Sequence, residues 1–322
     1  IATGGVAIAG GLTLHKYLFK ELHTDTFIGS IKGYHADIRE SILDGLKELG
    51  VTSFEINDKR VLLKPNLVEP HRKLSQINTH PYVIRAAAEA FLHLGASTVI
   101  VAEGAGHRRD AFLVLEESGL ADVLYEDKIP FIDLNTASVT KVKNQGGVSK
   151  LSELFIPEEI VRADIVVSLA KMKTHHWVGA TLSMKNLFGV MPGMIYGWPK
   201  NVLHWAGINK CIYDISATVK PHLAIVDGIV GMEGDGPIMG DPVTANVLVM
   251  GRNLPAVDAT CARIMGINPE KILYLKHASG RIGAIKESNI EQRGEKIVAV
   301  RKVFKLLDYI PAHNGISIGS AA

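Results

Sequence analysis

Residues 163–177 read ADIVVSLAKMKTHHW, an apolar run that passes directly into lysines, histidines and a tryptophan. The apolar part, 163–170, is typical of a strand buried on both faces, as in a parallel sheet covered by helices. Four other runs share this character, and we predict further strands at 60–64, 97–103, 222–228 and 245–251. Apolar residues at helical spacing predict helices at 36–49, 81–94, 109–118, 201–218 and 255–265. The alternation predicts an α/β fold, a mostly parallel sheet covered by helices, with one domain or two fused lobes around a cleft.

The composition is that of an ordinary folded protein. Hydrophobic residues make up 47% of the chain and charged residues 21%, so we expect most of it to fold around a core. The net charge is +2 and there is no long Lys/Arg run, which argues against nucleic acid as a partner. Cys211 and Cys261 lie far apart and outside any CxxC spacing, which excludes an iron–sulfur cluster held by this chain's cysteines. We interpret both as core residues, with a single disulfide as the alternative in an exported protein.

The segment IATGGVAIAGGLTL (1–14) is uncharged, rich in Gly and Ala, and too short and weakly apolar for a spanning helix. It is typical of the apolar region of a twin-arginine signal without its basic flank. We therefore predict an export-signal remnant or apolar tail over 1–20, a single large domain over 21–322, and a periplasmic or extracellular protein. We also predict a homo-oligomer, with residues 1–14 as a contact between subunits. The alternatives for the segment are a Gly-rich first element of the fold and, less favoured, a membrane tether.

Polar and small residues follow each predicted strand. Ligands of open α/β sheets bind beyond the carboxyl ends of the strands, so we expect these residues to line one cleft. They are Lys64 and Asn66, then Glu103, Gly104 and Gly106, then Lys171, Lys173 and His175, then Asp227, Glu233 and Asp235. Lysines neutralise carboxylates and phosphates, act as bases when their pKa is depressed, or form Schiff bases. The sequence therefore predicts a cleft for a small anionic molecule.

The segment 171–177 continues into TLSMKNLFG (181–189), which adds Lys185 and Asn186. Adjacent histidines diverge, so we expect one of the pair His175 and His176 to enter the site, and His175 is our candidate for proton transfer. We predict four catalytic residues: Lys171, His175, Asp227 and Glu103. We predict seven ligand- or cofactor-binding residues: Lys64, Asn66, Gly104, Gly106, Lys173, Lys185 and Asn186. The alternative is a basic surface loop anchored by Trp177.

The segment DGIVGMEGDGP (227–237) combines flexible glycines with three acidic residues. Carboxylate oxygens are hard metal ligands, so we predict His175, Glu233 and Asp235 as ligands of a metal ion, although the spacing is not that of an EF-hand. The alternative is a Gly-driven turn with solvated acids. GAGHRR (104–109) lacks the third glycine of a dinucleotide fingerprint, and the chain has no GxxxxGK[ST], GxSxG or HExxH motif.

Several of these segments together resemble a known family. They are VLLKPNLVEP (61–70), Thr79-His80-Pro81, VAEGAG (101–106), KMKTH (171–175), MKNLFG (184–189) and the block 227–237. In order and spacing they are similar to the family called domain of unknown function 362, over roughly residues 60–266. The resemblance implies twin-arginine export and no general activity. Some members carry ferredoxin-like cysteine motifs, which this chain lacks.

The expected architecture is also distantly similar to the nickel-pincer lactate racemase, in which a lysine and histidines hold a nucleotide-derived nickel cofactor between two lobes. That resemblance implies a metal ion or metal-containing cofactor. We interpret the chain as an exported enzyme that binds an anionic substrate or such a cofactor in its Lys/His/Asp-lined cleft. The alternative is a non-catalytic ligand-binding or self-assembling structural protein.

Overall fold

The computed structural model of the chain describes residues 22–106 and 109–319. Its strands are β1 Thr24–Ser30, β2 Arg60–Pro65, β3 Thr98–Glu103, β4 Phe131–Asp133, β5 Val139–Lys143, β6 Glu153–Pro157, β7 Ile165–His175, β8 Gly179–Thr181, β9 Leu223–Glu233, β10 Asp241–Gly251 and β11 Ile290–Gly294. The predictions for residues 1–20, including the export signal and the subunit contact, lie outside the described residues.

The central feature is a nine-stranded sheet in the order β11-β1-β10-β9-β7-β2-β3-β4, with β8 beside β7. Strands β9, β7, β2, β3 and β4 run parallel to one another. Strand β10 is antiparallel to both of its neighbours, β9 and β1. The predicted α/β class with a mostly parallel sheet is confirmed. Strands β5 and β6, which precede β7 in the chain, form a separate antiparallel hairpin.

The helices are α1 Ile38–Glu48, α2 Ser53–Ile56, α3 Pro81–His93, α4 Ala111–Glu117, α5 Leu120–Glu126, α6 Glu158–Arg162, α7 Ser183–Asn186, α8 Gly193–Tyr196, α9 Asn201–Trp205, α10 Ile208–Val219, α11 Leu254–Ile264, α12 Leu273–Ala278 and α13 Ile297–Val300. Short 3₁₀ turns lie at Leu187–Val190, Pro269–Lys271, Glu287–Asn289 and Pro311–His313. The predicted helix at 201–218 is divided into α9 and α10, because Gly207 between them adopts φ +102°.

Helices cover both faces of the sheet. Alternate residues of a strand point to opposite faces, so Val61 and Leu63 of β2 pack with α1 and α3, whereas Leu62 packs with α10 and α11. Both cysteines are buried and free, as expected for core residues. No helix within residues 22–106 and 109–319 is long and apolar enough to cross a membrane.

Two strands are longer than the apolar runs that predicted them. Strand β7 includes the whole of KMKTH, because β8 pairs with its end, with Lys173 opposite Thr181 and His175 opposite Gly179. Strand β9 continues to Glu233, because β10 runs back along it from Asp241. The predicted strands end at residues 170 and 228, so the prediction wrongly placed residues 171–175 and 229–233 beyond the strand ends. These polar residues lie on strands, and their hydrogen-bond partners are groups within the fold.

Candidate functional site

A cavity of about 390 Å³ lies at the carboxyl ends of β2 and β3 and along the end of β7. Its described lining is Lys64, Asn66, Leu67, Val68, Glu103, Gly104, Gly106, Lys173, His175, His176, Trp177, Thr181, Lys185, Asn186, Phe188, Gly189, Pro199, Lys200, His204, Asp235, Pro237, Ile238 and Met239. Within the described residues, four lysines and two carboxylates face this space. The cavity therefore has an excess of basic groups.

Lys64 and Glu103 form a buried ion pair at one wall of the cavity. Nζ of Lys64 lies 2.7 Å from Oε2 of Glu103 and also donates to Oδ1 of Asn186 at 2.9 Å. The carboxylate accepts two backbone N–H groups as well, from Leu67 at 3.1 Å and Gly104 at 2.8 Å. Burial lowers the pKa of Lys64, and the Glu103 carboxylate opposes that change. The charge of Lys64 is thus balanced within the protein.

Gly189 packs closely against the Lys64–Glu103 ion pair. A Cβ added there would collide with the Glu103 carboxylate and would lie 2.5 Å from Nζ of Lys64. The Gly189 carbonyl also accepts the Gly104 N–H at 3.0 Å. The MKNLFG segment must therefore pass directly over the ends of β2 and β3, and only glycine leaves room for that approach.

Lys173 and Lys200 are buried and held by oxygen atoms. Nζ of Lys173 donates to the carbonyls of Ile77 at 2.8 Å and Pro237 at 3.1 Å. Lys200 adopts a left-handed φ of +70°, and its Nζ donates to the carbonyls of Gly104 and Met191 and to the Asn135 side chain. Burial lowers the pKa of Lys173 well below its usual value and that of Lys200 to about 7. Neither lysine has a carboxylate partner among the described residues.

Lys185 differs from the other cavity lysines. Its Nζ lies 3.9 Å from the centroid of the Phe188 ring, and among the described residues no oxygen atom accepts a hydrogen bond from it. Burial and the positive charges of Lys64 and Lys200 together lower its pKa to about 7, and the Glu103 carboxylate opposes that change. A cation–π contact is a weak partner for an ammonium group. Lys185 thus offers the cavity a cation with no internal counter-ion.

His175 lines the cavity as a neutral imidazole. Its Nδ1 accepts the Trp177 N–H at 3.0 Å, so in the neutral ring the proton belongs on Nε2. The pKa of His175 lies well below its usual value, mainly because the ring is buried and next because Lys185 is positively charged. The neighbouring His176 turns instead toward Asp235, with Nδ1 and Oδ1 3.6 Å apart. The two histidines have different partners, but both line the cavity, so the expectation that only one of them enters the site was wrong.

Two polar atoms of the lining are buried without a hydrogen-bond partner among the described residues: Oδ1 of Asn66 and Oγ1 of Thr181. Buried polar atoms are nearly always paired in folded proteins, so such atoms at a cavity wall are natural contacts for a ligand. Asn66 offers an acceptor, and Thr181 offers both a donor and an acceptor.

Lys171 and Asp227 lie outside the described lining, in a closed network of their own. Nζ of Lys171 is 2.8 Å from Oδ2 of Asp227, and neither side chain is exposed to solvent. The Tyr34 hydroxyl accepts from Lys171 at 2.8 Å and donates to Asp227 at 3.1 Å. The Asp227 carboxylate also accepts the backbone N–H groups of His80 and Ile229, both at 3.1 Å. The structure separates these two predicted catalytic residues from the cavity.

The predicted metal ligands are not brought together. The Glu233 carboxylate accepts the Lys305 N–H at 2.8 Å, and Asp235 lies beside His176 rather than His175. In the part of the chain that the structure describes, no three His, Cys, Asp or Glu side chains are arranged to hold a metal ion. Histidines and two carboxylates do line the cavity, but among the described residues no three of them come together as metal ligands.

The family model for the domain of unknown function DUF362 matches residues 61–263. The chain belongs to this family. The thylakoid-associated protein sll1697 of Synechocystis sp. is 28% identical over 246 residues, which are 72% of each chain. The resemblance to the DUF362 family predicted from the motifs is confirmed, and the matched region contains every residue of the cavity wall named above.

Two solved structures are distant neighbours of this DUF362 chain. The lactate racemase apoprotein from Thermoanaerobacterium thermosaccharolyticum aligns with a TM-score of 0.46 and 13% identity, over 76% of this chain and 58% of that one. A Thermotoga maritima protein aligns with a TM-score of 0.38 and 11% identity, over 72% of this chain and 59% of that one. The chain thus spans less than two thirds of either structure, and the similarity is one of fold.

Most of the predicted site residues meet at the cavity. All seven predicted binding residues line it: Lys64, Asn66, Gly104, Gly106, Lys173, Lys185 and Asn186. Glu103, His175 and Asp235 line it as well, whereas Lys171, Asp227 and Glu233 do not. Sequence reasoning missed Lys200, Thr181 and Gly189. The one available signal for Lys200 was its place in MPGMIYGWPK (191–200), a segment whose Gly and Pro content predicts an ordered loop or flap.

Proposed function

We propose that this chain is an enzyme whose cavity binds a small anionic substrate, a carboxylate or a phosphate. The observation that carries the proposal is the position of Lys185. Its ammonium group faces the cavity against an aromatic ring and has no counter-ion among the described residues. A largely desolvated cation without a partner is costly, and an anionic ligand removes that cost.

The other charged residues of the cavity also favour an anionic ligand. Glu103 is already paired with Lys64 and bound by two backbone N–H groups, so it repels an incoming anion only weakly. Lys173 and Lys200 are held by neutral oxygen atoms, which leave their charge uncompensated. Like-charged groups around one cavity together create a positive potential, which an anion relieves.

The size of the cavity limits the ligand. A volume of about 390 Å³ lies near the lower end of the roughly 300–1,000 Å³ that small-molecule sites occupy. The unpaired oxygen atoms of Asn66 and Thr181 suit a ligand that also carries a hydroxyl, amine or carbonyl group. We therefore propose a small, polar anion rather than a nucleotide or a long-chain acid.

Catalysis is supported by groups whose pKa values suit proton transfer at neutral pH. With a pKa of about 7, Lys185 is close to half protonated in neutral solution, so it can both accept and donate a proton. The imidazole of His175 presents its Nε2–H as a hydrogen-bond donor. We propose Lys185 as the proton-transfer residue and His175 as a donor that orients the substrate. Strongly shifted pKa values concentrate at active sites.

Isothermal titration calorimetry with phosphate, acetate and succinate, and with neutral glycerol as a reference, tests the proposal. At least one anion should bind the wild-type protein, and Lys185→Met should weaken that binding by about tenfold or more, equivalent to ~1.4 kcal/mol. Lys150→Met removes an exposed lysine and serves as the matched control. Equal affinity in wild type and Lys185→Met would refute the assigned role of Lys185.

We also propose that the full-length protein is exported. The support is the uncharged Gly/Ala-rich segment 1–14, which lies outside the described residues. Fractionation of cells that express the protein from its natural start tests this. Recovery in the periplasm or medium supports export, and recovery in the cytoplasm alone refutes it.

A further inference from the structure

The four cavity lysines are not equivalent as nucleophiles. The amino groups of Lys64, Lys173 and Lys200 each donate to two or more oxygen atoms, which hold the hydrogens in place and direct the nitrogen away from a ligand. The Lys185 amino group lies 3.9 Å from the centroid of the Phe188 ring and donates no hydrogen bond to an oxygen atom of the described residues. Lys185 is therefore free to turn its lone pair toward a ligand once it is deprotonated.

The surroundings of Lys185 also favour the neutral amine. Lys64 and Lys200 are both close enough to disfavour a further positive charge, and Glu103, the buried carboxylate of the described lining, is already engaged by Lys64. The resulting pKa of about 7 leaves roughly half of the Lys185 side chains neutral at pH 7. An ordinary lysine of pKa about 10.4 is neutral in fewer than about one molecule in 10³ at that pH.

We propose that Lys185 forms an imine with a small ligand that bears both a carbonyl group and an anionic group, such as a 2-oxo acid. The proposal goes beyond anion binding and rests on the proposed function only in placing the ligand in the same cavity. A desolvated lysine beside other cations is a recognised setting for imine formation.

The step balances without an outside oxidant or reductant. The Lys185 nitrogen bonds to the carbonyl carbon as the C=O π bond opens, and a proton moves from nitrogen to oxygen to give a carbinolamine. The remaining N–H proton is then transferred to the hydroxyl, the C–O bond breaks, water leaves, and the nitrogen lone pair completes the C=N bond. The Thr181 hydroxyl can donate to the carbonyl oxygen, and Oδ1 of Asn66 can accept the carbinolamine O–H. Both residues line this cavity, and both oxygen atoms are buried without a hydrogen-bond partner among the described residues.

Reductive trapping tests the proposal. The wild-type protein is incubated at pH 7 with pyruvate and sodium cyanoborohydride, digested, and mapped by mass spectrometry. We expect an adduct on Lys185 at least about tenfold above that on any exposed lysine. It should disappear in Lys185→Arg, which keeps the charge but has no nucleophilic amine, and persist in Lys150→Met. Adducts spread evenly over exposed lysines, with none enriched at Lys185, would overturn the proposal.

Two further probes separate this inference from the proposed function. Propionate carries the carboxylate but no carbonyl, and butanone carries the carbonyl but no charge. Calorimetric binding of propionate without any Lys185 adduct from pyruvate or butanone refutes the imine and leaves anion binding intact. A Lys185 adduct from butanone in a protein that binds no anion supports a nucleophilic Lys185, and it refutes both the proposed function and the anionic group of the imine ligand.

Discussion

Nζ of Lys64 lies 2.7 Å from Oε2 of Glu103, and this buried ion pair joins the carboxyl ends of β2 and β3 where the cavity begins. The same ammonium group donates to Asn186, the residue after Lys185. The pair therefore ties the helix that carries Lys185 to the sheet. Its loss should affect both the stability of the fold and the position of the ligand-binding lysine.

Glu103→Gln should destabilise the protein by about 3–5 kcal/mol, because it leaves the Lys64 ammonium buried without a counter-ion. Urea denaturation measures the change. The exposed pair Lys141–Glu153 is the matched control, and Glu153→Gln should cost less than about 1 kcal/mol. Equal effects of the two substitutions would show that the buried pair contributes no more than a surface one.

Gly189→Ala should weaken anion binding and destabilise the fold by about 1–3 kcal/mol, because the added methyl group overlaps the Glu103 carboxylate. Gly106 lines the same cavity, but a methyl group added there would meet no atom of the described residues within 4 Å, so Gly106→Ala is the control. Calorimetric titration and urea denaturation of both variants measure the effects. A Gly189→Ala protein with wild-type affinity and stability would contradict the close approach of this segment.

The affinity for an anion of fixed charge should fall as the pH rises from 6 to 9. The Lys185 ammonium is the charged form, its pKa is about 7, and it is lost as the pH passes through that value. Lys200, also with a pKa of about 7, should add to the decline. Sulfate keeps its charge over this range and is the suitable probe. The decline should be shallower in Lys185→Met, and a pH-independent affinity in wild type would argue against an anion held by these lysines.

Asp258 should make the stability fall as the pH rises from about 4 to 7. Burial raises the pKa of this carboxyl to about 7 from 3.8, so between these values the native state binds more protons than the unfolded chain. Stability is then lost as the pH rises through the folded pKa. Asp258 accepts the N–H groups of Ser183 at 2.7 Å and Met184 at 3.1 Å, at the start of α7.

The test compares urea denaturation of wild type and Asp258→Asn at several pH values. Asp258 accepts the two α7 N–H groups on separate oxygens, so asparagine keeps an acceptor for only one of them. Because asparagine cannot ionise, the stability of this variant should change less between pH 4 and 7. Asp258→Ala leaves those N–H groups unpaired and should lose about 1–3 kcal/mol at any pH. Identical pH profiles of wild type and Asp258→Asn would show that Asp258 does not titrate in this range.

The architecture follows from local patterns, because runs such as VLLK at the start of β2 read as buried strands in any context. The rule that ligands bind beyond the strand ends then brings together residues as distant as Lys64, Glu103 and Lys185. These predictions need only strand positions and the fact that parallel strands end at one edge. They depend on neither register nor side-chain direction.

The sequence did not predict that Lys171 and Lys173 lie in different environments. Both lie in KMKTH, two residues apart, yet Lys171 pairs with Asp227 and Lys173 faces the cavity. The pairing of β7 with β9 shifts register between these two residues, and nothing in the local sequence marks that irregularity. Lys200 was missed for a related reason. The position of its amino group depends on hydrogen bonds to the carbonyls of Gly104 and Met191, which approach it only in the folded chain.

The most direct test of the anion site is anomalous diffraction from crystals soaked in sodium bromide. We predict a bromide ion in the cavity within hydrogen-bonding distance of Nζ of Lys185, displaced by the carboxylate or phosphate that binds best in solution. The same site should be empty of bromide in crystals of Lys185→Met, with bromide at other surface sites unchanged. A wild-type cavity that holds only water beside Lys185 would contradict the assignment of this cavity to a small anion.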